Sequence, residues 1–279
     1  MDLLIDVLGK LLHFNWLEPL FMRRALLGLF LIAPACAAMG VQVVSLRMAF
    51  FSDAISHSAF TGVALGLILG MDSRWTMIAF GVLVGCGVLV FARKAELATD
   101  TVIGVFFAAV VALGIVIVSA KRGLGRYFEG VLFGDILAIN GAELWIIFVL
   151  CAAVLIFQWV GFNRLLLMAI NSPLAHSRGF HPAPWEMAYG ILLALLVMVS
   201  LKVVGLLLVT ALLVVPAATG RNLARGAGGL FWWSCLVAGF SSIMGLYLSF
   251  KWNSATGATV ILVSVAFFLM SFLYRQLRN

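Results

Sequence analysis

Long apolar runs separated by short polar breaks dominate this chain. They lie at residues 25–46, 48–71, 75–92, 101–120, 144–161, 185–201, 203–219, 229–250 and 258–274. Most approach the roughly 20 residues that an α-helix needs to cross a hydrocarbon layer about 30 Å thick. The runs are continuous, whereas membrane β-strands give short alternating segments. The pattern predicts an all-α, polytopic transmembrane helical bundle of nine spans, a single domain over residues 1–279. Around Lys202 the stretch 185–219 is too long for one span and leaves little room for a turn. Eight spans plus a re-entrant segment is the alternative there.

Two segments stand apart from the runs. Residues 1–20 carry Leu3, Leu4, Val7, Leu8, Leu11 and Leu12 at helical spacing, which suits a helix lying in the membrane interface. Acids near the start and the lack of a basic leader argue against a signal peptide. The polar segment "NRLLLMAINSPLAHSRGFHPAP", residues 163–184, is longer than a turn. It suits either a solvated connection or a short helix across a membrane face. Its His176 and His181 stand five apart, a spacing that does not share one helix face, so they read as solvated rather than as a metal pair.

Composition agrees with the pattern. Hydrophobic residues make up 64%, charged residues 10%, and mean hydropathy is +1.16; soluble domains carry roughly 45–50% apolar and about 25% charged residues. The net charge of +7 reflects scarce acids, because the 18 Lys and Arg residues are spread over nearly every loop. That spread argues against nucleic-acid binding. With nine spans and the N-terminus outside, Arg47, Arg93, Lys94, Arg164, Arg178, Arg221, Arg225, Arg275 and Arg278 face inside, nine of the 18. The inside excess of basic residues therefore does not orient the chain. Cys36, Cys86, Cys151 and Cys235 sit singly inside apolar runs, which gives no disulfide framework and no thiolate zinc site.

The chemistry concentrates in the second run, at "FFSDAISHSAFTG", residues 50–62. A helix starting near Arg47 carries Asp53 about 9 Å along its axis and His57 about 15 Å, near mid-membrane. Four residues apart, they share a face, with Ser56 and Thr61 beside it as further oxygen donors. A charged side chain at bilayer depth costs at least about 2.5–3.5 kcal/mol, and such residues usually mark ion or substrate paths. An acid and an imidazole one turn apart form half a site for a first-row divalent cation. Other helices, a second subunit or water must complete the shell. The competing structural readings are an Asp53–His57 hydrogen bond that locks helices together, or Asp53 as a helix cap. Gly62, Gly66 and Gly70 form a doubled GxxxG, which indicates close helix packing. Asp100, after Thr99, suits an N-cap of the fourth run, with a place beside the metal as its second reading. Glu129 and Asp135 read as water-facing acids before the fifth run.

Several motifs are missing. There is no GxxxxGK[ST] phosphate loop, so the chain does not hydrolyse ATP by that route. HExxH and GxSxG are absent too, which argues against a membrane protease or hydrolase.

The segment "RMAFFSDAISHSAFTGVALG" resembles the second-helix signature of the integral membrane permeases of zinc/manganese/iron ABC importers. "LFGDILAI", "KVVGLLLVTALLVVPAATG" and "SATGATVILV" resemble three further blocks of that family, in family order. The resemblance implies a permease in the cytoplasmic (inner) membrane that pairs with a second copy and sits among membrane lipid. It implies two cytoplasmic ATP-binding subunits as the motor and an extracytoplasmic metal-binding protein for delivery. The metal is then the substrate, and no permanently bound cofactor is implied. Asp53 and His57 match the family's polar positions along the metal path. Residues 163–184 match the cytoplasmic coupling loop, with Ser172, Pro173, Ala175 and Gly179 against the ATPase, which places the N-terminus outside and the C-terminus inside. Two departures stand out. Asn171-Ser172-Pro173 lacks the family's usual acid before the proline, and Val105-Phe106-Phe107-Ala108 lacks the histidine that zinc permeases often carry there. The rival reading is a proton-coupled secondary metal transporter, which predicts inverted repeats and more intramembrane acids.

Overall fold

The continuous apolar runs fold as helices in the computed structural model, which describes residues 17–95, 97–120, 134, 136–170 and 182–278. Among the described residues, nine helices are long and apolar enough to cross a membrane. They are α1 (Leu20–Ser45), α2 (Ala49–Leu69), α3 (Ser73–Lys94), α4 (Thr99–Ala120), α5 (Gly141–Ile170), α6 (Pro182–Val204), α7 (Leu206–Leu223), α8 (Ala227–Trp252) and α9 (Thr256–Arg278). The nine expected spans are thus present, and no strand occurs among the described residues. Most of residues 1–20, read as an interfacial helix, lie outside the described residues, as do Glu129 and Asp135.

The break near Lys202 falls three residues later than the sequence suggests. Lys202 remains inside α6, and the helix breaks at Gly205, whose φ of 85° is accessible to glycine at little cost. The fifth helix is also longer than its apolar core. Its 30 residues extend about 45 Å, some 15 Å more than the hydrocarbon layer requires. Asn163 to Ile170, expected in the loop, are its last turns. Helix α6 starts at Pro182, and residues 171–181 between the two helices lie outside the described residues.

The helices form two units. One comprises residues 42–132 and 156–202, and so holds α2, α3, α4, the second half of α5 and most of α6. Here α2 and α3 form an antiparallel hairpin packed through glycine. A Cβ on Gly62 would stand 2.7 Å from the Met77 Cα, and one on Gly66 would stand 3.0 Å from the Ser73 Cα. Gly70 instead caps α2, in the left-handed conformation at φ 66°. The doubled GxxxG therefore divides into two packing positions and one cap. On its other side α2 runs parallel to α4, and the Thr61 hydroxyl donates to the Val110 carbonyl at 2.8 Å.

The other unit comprises residues up to 41, 133–155 and 203–279. In it α7, α8 and α9 pack against one another in sequence order. Gly245 of α8 lets the Val260 backbone approach, and a Cβ there would stand 2.5 Å from the Val260 Cα. The α8–α9 turn is closed by Ser249, whose hydroxyl donates to the Ser254 carbonyl at 2.6 Å.

Candidate functional site

Helix α2 begins at Ala49 with Met48 as its N-cap, because Phe51 N–H bonds to the Met48 carbonyl. Asp53 is consequently in the second turn, about 6 Å along the axis, and His57 is about 12 Å along. The capping reading of Asp53 is thereby excluded. Both side chains are half-buried on a helix whose neighbouring positions Ser52, Ala54, Ile55, Ser56 and Ser58 are fully buried.

Most of the local hydroxyls are engaged by the backbone. Ser52 donates to the Ala49 carbonyl at 2.9 Å, and Ser58 donates to the Ile55 carbonyl at 2.6 Å. Thr61 is committed to Val110. The Ser56 hydroxyl is buried and without a hydrogen bond. Among the described residues no hydrogen bond or ion pair joins Asp53 to His57. The helix-locking pair is therefore not formed, and both groups keep their ligating atoms.

His57 faces α4. Its ring meets Phe107 edge to face, with centroids 5.0 Å apart at an interplanar angle of 82°, and Phe60 at 5.8 Å. Below this contact a cavity of about 460 Å³ opens between α2 and α4, lined by His57, Phe60, Thr61, Val111, Gly114 and Ser119. Ser119 donates to the Val116 carbonyl at 3.0 Å, as Thr61 does to Val110. His57 is thus the polar lining group that retains a free imidazole. Phe107, in the stretch that lacks the histidine of zinc permeases, is the residue of α4 that faces His57. Its signal is the spacing of Phe107, Val111 and Gly114 at i, i+4 and i+7, one face of α4.

Asp100 stands on the neighbouring helix α4. The α2–α4 register set by His57 with Phe107 and Thr61 with Val110 puts Asp53 level with residue 103. Asp100 is exposed in the first turn of α4, about one turn from that level. Nor is it the N-cap, since Thr101 and Val102 N–H both reach the Ala98 carbonyl. Its charge instead favours the positive end of the helix dipole. No group of three or more His, Cys, Asp or Glu residues able to hold a metal ion occurs among the described residues.

Ser172, Pro173, Ala175 and Gly179, together with His176 and His181, lie outside the described residues. The helix ends that flank them are firmly held. The Arg164 guanidinium sits 4.5 Å from the centre of the Trp185 ring. Arg93, in the last turn of α3, forms an ion pair with Glu186 at 3.0 Å and also donates to the Ala183 carbonyl. The start of α6 is thereby tied to the end of α3. Because α2 is antiparallel to α3, Asp53 lies toward that same end of the unit.

Comparison with known proteins places this arrangement. The sequence profile of the ABC 3 transport family matches residues 19–275. The manganese import system permease protein ScaB of Streptococcus gordonii is 31% identical over 252 residues, covering 90% of each chain. The high-affinity zinc uptake system membrane protein ZnuB of Haemophilus influenzae is 32% identical, covering 90% of this chain and 97% of that one. Among solved structures, PsaBC from Streptococcus pneumoniae in complex with Fab superposes with a TM-score of 0.78 at 28% identity over the whole of both chains. This chain belongs to the ABC 3 transport family, as a multi-pass protein of the cytoplasmic membrane.

Proposed function

We propose that this chain is the permease subunit of an ATP-driven importer that carries a divalent transition metal, zinc, manganese or iron, across the cytoplasmic membrane. Asp53 and His57 line the ion's path. The observation that carries the reading is a carboxylate and an imidazole on one face of a spanning helix, neither bonded to the other, with the imidazole lining a cavity. A dehydrated divalent cation needs replacement ligands at membrane depth, and carboxylate with imidazole suits the first-row metals. An incomplete shell suits transit, because the ion must leave as readily as it enters. Completion by a second copy of the chain fits the half-site.

The chain works with partners. Two cytoplasmic ATP-binding subunits hydrolyse ATP, the chain itself having no phosphate loop, and an extracytoplasmic binding protein supplies the ion. The segment at Ser172, Pro173, Ala175 and Gly179 docks on the ATPase. The flanking pairs Arg164–Trp185 and Arg93–Glu186 support this reading, because they brace both ends of the segment. A proton-coupled mechanism has less support: inverted repeats are not evident, and acids inside the spans are few.

The test is metal uptake by the reconstituted complex, comparing zinc, manganese and iron. His57→Ala and Asp53→Asn should each abolish uptake while complex yield is retained. Normal uptake in both variants at full expression would reject the transit site. Uptake driven by a proton gradient without ATP would reject the importer assignment.

A further inference from the structure

Four arginines gather at one end of the second unit. Arg221 and Arg225 stand at the end of α7 and just beyond it; Arg275 and Arg278 stand in the last turn of α9. All four are exposed. Asn222 draws the two pairs together. Its side-chain amide donates to the Ser271 hydroxyl at 3.1 Å, and its carbonyl oxygen accepts from the Arg275 guanidinium at 3.3 Å. Residues 203–279 contain no Asp or Glu, and among the described residues none of the four arginines is in an ion pair.

The surroundings of the cluster are apolar and aromatic. Gly220 abuts Leu230 and Ser234, which puts the first turns of α8 level with the end of α7. Trp232 and Trp233 lie there, exposed by 66% and 45%, and Tyr274 on α9 is exposed by 53%. Leu273 and Leu277 are exposed on the same turns of α9. Tryptophan and tyrosine settle at the boundary between hydrocarbon and headgroups. Guanidinium groups bind phosphate oxygens in a two-pronged geometry. An acidic protein surface would match the arginines but gives no role to the exposed aromatic and leucine side chains just below them. A phospholipid matches both.

We propose that this cluster binds the phosphate headgroup of an anionic phospholipid, with Trp232, Trp233 and Tyr274 against its glycerol and upper acyl carbons. A cytoplasmic helix end would account for basic residues here, but not for the Asn222 contact that ties Arg275 to the end of α7. The inference is independent of the metal-transport reading, since the site is on another unit from Asp53 and His57.

The experiment titrates the full-length chain in detergent with phosphatidylglycerol or phosphatidylcholine and counts bound lipid by native mass spectrometry. Phosphatidylglycerol should bind at least about tenfold more tightly, and the preference should shrink as salt is raised. Arg221→Gln, Arg225→Gln, Arg275→Gln and Arg278→Gln combined should remove the preference. The matching set of Arg→Lys changes should keep most of it. Lys251→Gln, at the far end of α8, should leave it unchanged. Should the glutamine variant not fold, the salt titration on the unaltered chain still decides. Equal binding of the two lipids, or a preference insensitive to salt, overturns the proposal. Full displacement by millimolar inorganic phosphate also overturns it, because the site would then be for the free anion. So does loss of ATPase-subunit binding in the glutamine variant while the lipid preference persists, since the arginines would then serve a protein.

Discussion

The rings of His57 and Phe107 stand 5.0 Å apart on neighbouring helices, nearly perpendicular. Two imidazoles that share one metal through nitrogens at about 2 Å in tetrahedral geometry also place their ring centres roughly 5 Å apart. That spacing would let a histidine at 107 share a metal with His57. Phe107→His should create a two-imidazole site and raise zinc affinity of the purified chain by at least about tenfold, as a second imidazole suits zinc better than manganese. Phe107→Leu keeps the wall apolar and should leave the metal preference as it is. The check is zinc and manganese binding by calorimetry on both variants. Equal zinc affinity in the histidine variant and the parent would show that the ring is not at a ligand position.

The glycines of α2 make separable claims. A Cβ on Gly62 or Gly66 meets backbone of α3 within about 3 Å, so alanine there must spread the hairpin, at a cost of about 1–3 kcal/mol. At Gly70 nothing lies within 4 Å, and the φ of 66° is the sole obstacle. Alanine at that position should cost about 1 kcal/mol, and asparagine less. Melting of the three alanine variants in detergent should rank Gly70→Ala as the mildest. The reverse order would mean that the hairpin is looser than the contacts indicate.

What could be read in the sequence follows from what each feature depends on. The spans were legible because an apolar run of membrane length needs no tertiary partner to be a helix. The end of α5 was not, because Asn163 and Arg164 look like loop residues in isolation. Arg164 stays helical where its guanidinium stacks on Trp185, a residue 21 positions away. The apolar runs leave their gap at the charged Lys202, while the helix breaks at Gly205, where positive φ is cheap. Asp53 and His57 were legible because i and i+4 share a face in any helix. The resemblance marks Val105-Phe106-Phe107-Ala108 as lacking a histidine, but that Phe107 faces His57 depends on the register between α2 and α4, which periodicity within one helix does not encode. Asp100 missed its expected cap position by two residues, a difference that only the backbone hydrogen bonds of Ala98 reveal.

A second buried polar pair gave no sequence signal at all. Gln158 on α5 donates its side-chain amide to the Gln42 carbonyl oxygen at 2.9 Å, and both side chains are 1% exposed. Removing one partner leaves the other amide buried without it, so Gln158→Leu should cost about 1–3 kcal/mol. Replacing both by leucine should recover most of that loss, because two apolar groups then share the space. Thermal unfolding of the two single variants and the double variant completes the cycle. Additive losses would mean that the two amides act independently.

The segment between α5 and α6 carries the remaining prediction. If residues 171–181 dock on an ATPase, force enters the unit at the ends of α5 and α6. Those ends are braced by Arg164 against Trp185 and by Arg93 against Glu186. The Arg93–Glu186 pair is exposed and adds no more than about 1 kcal/mol to stability. Its loss should therefore leave the fold intact while loosening the link between α6 and the α2–α3 hairpin that bears Asp53 and His57. Arg93→Ala is expected to preserve ATP hydrolysis by the assembled complex and to lower metal uptake per ATP severalfold. The exchanged pair Arg93→Glu with Glu186→Arg should recover part of that ratio. Bulky residues at the docking positions act one step earlier: Ser172→Trp with Ala175→Trp should also uncouple hydrolysis from uptake, and no exchange at 93 and 186 should rescue it. Hydrolysis and uptake measured together on one proteoliposome preparation distinguish the cases. Unchanged uptake per ATP in both Arg93→Ala and the double tryptophan variant would mean that this end of the unit connects helices and transmits nothing.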